Sequence, residues 1–149
     1  SGIREISIFA RNDQYFVQAE ENVNYINNEM KSFGVKANIF PLEDKDAFRR
    51  EVAESAILAN GTSLGMKPLD QLSIIDDTLD VLREDLIVTD VVYNPQKTKL
   101  LAQAQEAGAK TINGLGMMLW QGALAYKLFT GEDMPVDQVK QILFENDRF

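Results

Sequence analysis

The run Leu86-Ile87-Val88-Thr89-Asp90-Val91-Val92 constrains the fold more than any other part of the chain. It is rich in β-branched side chains and nearly all apolar, so it reads as a strand of a parallel sheet covered on both faces. Parallel strands cannot be joined by a tight hairpin. Each pair needs a crossover of a dozen or more residues, usually a helix. The rest of the sequence supplies those crossovers. REISIFA (4–10) alternates Ile6, Ile8 and Ala10 as a strand does, and Asn12 and Asp13 follow as candidates for a helix N-cap. Phe16, Ala19, Val23, Ile26 and Met30 then step by three and four, which predicts an amphipathic helix with Gly34 at its C-terminal cap. VKANIF (35–40) predicts a second strand, 45–54 a short helix on Ala47, Phe48 and Val52, and AILAN (56–60) a buried strand. Leu72 to Leu82 reads as loop and helix. After 86–92 come a turn at Pro95, a helix ending at Gly108, the short β-like KTIN (110–113), and a long apolar helix to Gly131. A last helix opens at Pro135, with Val136, Val139, Ile142 and Leu143 as its buried stripe. Repeated βα units of this length predict an α/β fold on a parallel sheet of about five strands.

Composition removes several chemistries. The chain has 149 residues, no cysteine and no histidine. It therefore offers no disulfide, no thiol nucleophile and no imidazole base or metal ligand. A net charge of −8 argues against nucleic acid and against an anionic membrane surface as partners. The longest apolar run, Leu115 to Phe129, is broken by Gln121 and Lys127 and is too short to span a bilayer. No signal peptide is visible, and the expected location is the cytoplasm. Asp76, Asp77, Asp80, Glu84 and Asp85 form an acidic cluster without the glycine-bearing loop of a calcium site, so it reads as a solvated helix face and no metal site is expected.

Ligands on open parallel sheets sit beyond the carboxyl ends of the strands. The loops at those ends are 10–13, 60–67, 92–97 and 113–117, and Gly, Asn, Ser, Thr and Pro concentrate there. Gly114-Leu115-Gly116 opens the long helix, where backbone can approach a ligand closely. Gln121 is a polar side chain in an otherwise apolar helix, which needs a partner if it is enclosed. Lys67 reads as an exposed loop lysine rather than a base.

FARNDQYF (9–16), NGTSLGMKPL (60–69), DVVYNPQKTKLL (90–101) and AKTINGLGMMLWQGALAYKLFTG (109–131), taken together, resemble the C-terminal cofactor domain of the shikimate dehydrogenases. The ARND loop, the NGT…GMKPL form and the WQG triplet resemble the quinate/shikimate branch most. The resemblance covers nearly the whole chain. It implies a Rossmann-like domain that binds NAD or NADP, in an oxidoreductase that interconverts shikimate or quinate and its 3-dehydro form. It places Ala10, Arg11, Asn12 and Asp13 at the adenosine ribose, where the carboxylate suits NAD and the guanidinium suits the extra phosphate of NADP, so both cofactors are expected to be tolerated. It places Ser63 in a cofactor contact with Thr62 shaping its loop. Val91, Val92, Tyr93 and Asn94 line the nicotinamide-ribose side, the Gly114 backbone lies near the carboxamide, and Met117 packs beside the ring. Gln121 and Tyr93 face the substrate.

The resemblance also implies what this stretch does not carry. The family's substrate domain, its Lys/Asp proton-transfer pair, its first nucleotide-domain strand and the glycine-rich turn are expected to lie outside it. No G-x-G-x-x-G-like turn occurs in positions 1 to 34. The expectation is a fragment with no catalytic residue of its own, no turnover alone and weak dinucleotide binding. The strands at 4–10 and 56–59 would lose a shared neighbour, so they are expected to pair directly or to accept a strand from another chain, with self-association. The competing reading is a non-catalytic α/β binding or regulatory domain on the same scaffold.

Overall fold

A computed structural model describes residues 2–144. The chain divides into two compact units, one running to Glu54 and the other starting at Ser55. Within each unit the strands are parallel, two in the first and three in the second.

The first unit is one βαβ motif with a trailing helix: β1 (Glu5–Ala10), α1 (Phe16–Glu29), β2 (Lys36–Pro41) and α2 (Lys45–Glu54). β1 and β2 pair from Glu5 opposite Lys36 to Ala10 opposite Pro41. Phe16, Ala19, Val23 and Ile26 turn inward as their spacing requires, but Met30 stays exposed because α1 stops at Glu29. Gly34 does not cap α1. It closes the 3-10 turn Lys31–Phe33, where a positive φ of 68° suits a residue without Cβ. Neither Asn12 nor Asp13 is the N-cap residue, since α1 begins one turn later. Asp13 instead accepts the Tyr15 amide on Oδ1 (2.9 Å). Asn27 on α1 exchanges two hydrogen bonds with the backbone of Ala37, donating from Nδ2 to its carbonyl (2.9 Å) and accepting its N–H on Oδ1 (2.7 Å). Phe9 stacks on Phe40 and meets Phe48 edge-on, with ring centroids 5.1 and 5.0 Å apart. This aromatic trio joins β1, β2 and α2 into a small core.

The second unit is a three-stranded sheet in the order β3 (Ile57–Asn60), β4 (Ile87–Asp90), β5 (Lys110–Ile112), with helices α3 (Lys99–Glu106), α4 (Leu115–Thr130) and α5 (Val136–Phe144). β4 occupies only the middle of the apolar run, and its two faces are unequally covered, one fully and one in part. Leu86, Val88, Asp90 and Val92 are buried, whereas Ile87 and Thr89 are half-buried and Val91 is exposed. β3 alternates likewise, with Leu58 and Asn60 buried and Ile57 and Ala59 exposed. Residues 72–82 form turns and one 3-10 turn, Leu79–Val81, rather than a helix, so the acidic cluster is not a helix face. The stripe expected on α5 is weaker than its spacing suggested. Val136 and Val139 are half-buried, Ile142 is exposed, and the side chain of Leu143 lies outside the described residues.

The expectation that strands 4–10 and 56–59 pair with each other is not met. Among the described residues β1 has one ladder partner, β2, and β3 has one, β4. Each strand finds its hydrogen bonds within its own βα unit.

Candidate functional site

Asn60 and Asp90 end β3 and β4 on the same rung of the ladder. The loops that leave them therefore start side by side. They enclose a cleft of about 500 Å³, lined by Gly61, Thr62, Ser63, Met66, Lys67, Val91, Val92, Tyr93 and Asn94. The volume lies in the range of ordinary small-ligand sites. Its walls mix apolar groups (Met66, Val91, Val92) with hydroxyls from Thr62, Ser63 and Tyr93 and the amide of Asn94. That set offers a small ligand both apolar contact and several hydrogen-bonding groups.

Five sequence-derived positions thus meet in one cleft: Ser63, Val91, Val92, Tyr93 and Asn94. Val92 is 6% exposed and acts as floor, while Tyr93 is 44% exposed and free to meet a ligand. Gly114 stands directly behind the cleft wall. Its N–H donates to the Val92 carbonyl (3.2 Å), and a β-carbon on it would fall 2.7 Å from the carbonyl carbon of Val91, closer still to the oxygen. The glycine is required by the chain's own backbone, which the sequence had suggested only for a ligand. Gly116 has open space instead, and a β-carbon there would meet nothing within 4 Å.

Met117 and Gln121 occupy the first two turns of α4 and do not line this cleft. Both are exposed. The reading of Gln121 as an enclosed amide in need of a partner is corrected by that exposure. Helix α4 buries little beyond Leu119, and it leaves Trp120, Leu124, Leu128 and Phe129 between 62% and 89% exposed. A polar side chain on such a helix is solvated, so it incurs no desolvation cost.

The remaining positions lie in the first unit. Ala10 ends β1, and Arg11, Asn12 and Asp13 form the exposed bend after it. Arg11 Nη2 pairs with Asp13 Oδ2 at 3.4 Å, and Asp13 Oδ1 holds the Tyr15 amide. The Asn12 N–H donates to Glu43 Oε1 (3.4 Å). Guanidinium and carboxylate are therefore presented together at the carboxyl end of a strand.

Below the cleft lies a polar network that the sequence did not reveal. Asp90, Asn60 and Thr98 are each 1% exposed and hydrogen-bonded to one another through Asp90. The available signal was a lone carboxylate inside the otherwise apolar run 86–92. Farther away, Asp76 accepts hydrogen bonds from Lys99 Nζ (2.7 Å), the Ser73 N–H (3.0 Å) and Gln103 Nε2 (3.2 Å). Burial pushes its carboxyl up, but those hydrogen bonds and the Lys99 charge outweigh burial and hold it below the ordinary carboxylate range. Among the described residues no three carboxylates cluster in a way that could hold a metal ion, and no helix is long and apolar enough to cross a membrane.

Residues 114–144 match the family model of the shikimate 5'-dehydrogenase C-terminal domain. Over 143 residues, 96% of this chain, the sequence is 49% identical to the shikimate dehydrogenase (NADP(+)) of Listeria monocytogenes. Over 146 residues, 97% of the chain, it is 51% identical to the enzyme of the same name from Streptococcus uberis. A crystal structure of the Listeria monocytogenes shikimate 5-dehydrogenase with shikimate and NAD superimposes with a TM-score of 0.88 over 96% of this chain, at 49% identity.

The chain belongs to the shikimate dehydrogenase family.

It spans about half the length of the relatives it matches, 48% of each. The family match makes the α/β architecture Rossmann-like, and open α/β sheets in general bind ligands beyond the carboxyl ends of their strands.

Proposed function

We propose that this chain provides the dinucleotide-binding part of an NAD- or NADP-dependent shikimate or quinate dehydrogenase. The observation that carries the reading is the convergence of Ser63 and Val91–Asn94 on one cleft beyond β3 and β4. In this reading Asp13 accepts the ribose hydroxyls of the adenosine and Arg11 faces a 2′-phosphate when one is present. Ser63 and the backbone of Val91 and Val92 hold the nicotinamide-ribose end. Tyr93 orients the substrate from the cleft side, and Gln121 meets it from α4. The Gly114 backbone and Met117 flank the ring. The bound nicotinamide supplies the redox chemistry, accepting or giving a hydride at the alcohol carbon of the substrate.

No residue of this chain is assigned the proton transfer, and the chain by itself is expected to show no turnover. Dinucleotide binding is expected to be weak, because a diphosphate is ordinarily cradled by a glycine-rich turn at a helix N-terminus. The exposed Trp120, Leu124, Leu128 and Phe129 favour self-association. A compact monomer resistant to dilution in solution scattering would overturn that part. Calorimetry with NAD and with NADP tests the main reading. Saturable binding that is lost in Ser63→Trp, which fills the cleft, supports it. Equal heats for the chain and that variant overturn it, and micromolar affinity overturns the need for the glycine-rich turn.

A further inference from the structure

We infer that Asp90 is a positioning residue for the cleft: it fixes the two loops that form the walls without touching what binds between them. The inference rests on the proposed dinucleotide site for its functional consequence and on geometry alone for its structural one.

Asp90 is the last residue of β4 and is 1% exposed. Its two oxygens accept from three donors, each on a different segment. Oδ1 takes the Asn60 Nδ2 (3.0 Å) and the Val92 N–H (3.0 Å), and Oδ2 takes the Thr98 hydroxyl (2.7 Å). No residue is spare in this arrangement. Asn60 spends its other donor on the Leu64 carbonyl (3.1 Å) and receives the Thr62 N–H (3.0 Å) and hydroxyl (2.7 Å) on Oδ1. Asn60 thereby shapes 61–64, one wall of the cleft. The Val92 N–H bond fixes the opposite wall, 91–94, at its root. Thr98 is the N-cap of α3 and also accepts the Leu101 N–H (3.4 Å). Its methyl group lies directly under Gly65, whose φ is +94° and whose absent β-carbon would sit 3.0 Å from Thr98 Cβ. One carboxylate therefore joins both walls and the helix behind them.

The alternative is that Asp90 is simply a well-satisfied buried group whose loss weakens the whole unit. The two readings separate by where the effect appears. Buried hydrogen-bonded groups are costly to orphan, and the cost falls on the groups left unpaired. Those groups are the Val92 N–H, the Asn60 side-chain amide and the Thr98 hydroxyl, so the effect is expected in the walls that Val92 and Asn60 hold.

The experiment uses the full chain, Asp90→Ala, Asp90→Asn and, as a control that weakens the same unit elsewhere, Ile75→Val (Ile75 is fully buried). Amide hydrogen exchange is read at Thr62 and Val92 against Ala104 in the interior of α3. NAD affinity is read by calorimetry below the melting temperature of every variant. In Asp90→Ala, exchange at Thr62 and Val92 is expected to rise about ten-fold or more relative to Ala104, and NAD affinity to fall about ten-fold, as befits the loss of a three-donor acceptor. Asp90→Asn keeps an oxygen for Asn60 and Val92 and is expected to restore both readouts to within about three-fold of the unaltered chain. Ile75→Val is expected to lower the melting temperature and leave both unchanged. Should Asp90→Ala not fold, Asp90→Ser, whose single oxygen cannot serve all three donors, gives the same comparison and leaves the Thr98 cap of α3 in place.

Unchanged relative exchange at Thr62 and Val92 in the alanine variant overturns the inference, as does an asparagine variant as impaired as the alanine one. If the unaltered chain binds no NAD, the proposed function fails, and the exchange comparison still decides the role of Asp90.

Discussion

Gly114 lies against the backbone of Val91 so closely that no side chain fits there: a β-carbon would fall 2.7 Å from the Val91 carbonyl carbon and 3.0 Å from that of Val92. The contact is between main chains, so no flexible side chain can yield. Gly114→Ala is expected to destabilise the second unit by about 1–3 kcal/mol, the usual cost of forced overpacking. It also pushes on the cleft wall, so dinucleotide affinity is expected to fall. Urea unfolding followed by far-UV circular dichroism checks the first, and calorimetry the second.

Gly122 gives the opposite expectation. It sits within α4, and a β-carbon there would meet nothing within 4 Å. Gly122→Ala should stabilise by about 0.5–1 kcal/mol through helix propensity alone. A shift to lower midpoint in the same urea titration would contradict it.

Asp76 carries a pH signature. Its folded-state pKa is held below the ordinary value of 3.8, with hydrogen bonds from Lys99, Ser73 and Gln103 overcoming burial. A carboxyl with a depressed pKa contributes stability above its unfolded value, and that contribution is lost as pH falls through the folded one. Stability should therefore decline below about pH 4. Asp76→Asn is expected to be less stable than the unaltered chain at pH 7 and to approach it at pH 3. Urea midpoints at both pH values read the difference. An identical gap at the two values would rule out ionisation of Asp76 as the source.

Arg11 and Asp13 hold one another at 3.4 Å with the arginine side chain 75% exposed. Such a pair contributes up to about 1 kcal/mol to stability, so substitutions here test binding rather than folding. Under the proposed function, Arg11→Ala should weaken NADP about ten-fold more than NAD, as the loss of a charge-assisted hydrogen bond predicts. Asp13→Asn should favour NADP relative to NAD. Paired titrations with both cofactors measure the ratio, and an unchanged ratio in both variants would remove these residues from cofactor selection.

Asn27 closes both backbone groups of Ala37, a residue only 3% exposed. Asn27→Leu leaves an enclosed N–H and C=O without partners and should cost about 2–4 kcal/mol. Because the two units have separate sheets, the loss is expected to appear in amide exchange of β1 and β2 while β4 keeps its protection.

Local pattern made much of the architecture legible. The stripe from Phe16 to Ile26, the helix 45–54 and all five strands follow from spacing and from Gly and Pro punctuation, because these depend on neighbours in sequence. The positions that diverged depend on neighbours in space. Asp90 passed unremarked in a run read only as β-branched and nearly all apolar, and it is the acceptor at the centre of a buried network. Gln121 looked enclosed because the residues beside it are apolar, but the face of α4 around it is exposed. Gly34 was displaced from its expected cap because a 3-10 turn intervenes, a feature that spacing alone does not encode. At the cleft, resemblance to a family brought Ser63 and Val91–Asn94 together. Periodicity alone would have supplied only the sheet edge on which they lie.

The shared rung of Asn60 and Asp90 has a bearing on how this scaffold tolerates insertions and deletions. Side chains on a strand alternate between faces, so removing a single residue from either strand would turn one partner outward and sever the bond between them. Growth or shrinkage within 66–85, by contrast, leaves that rung intact. Variation in length is thus channelled into the connecting segments, and the two strand ends behave as a fixed gauge against which every longer or shorter version must still close.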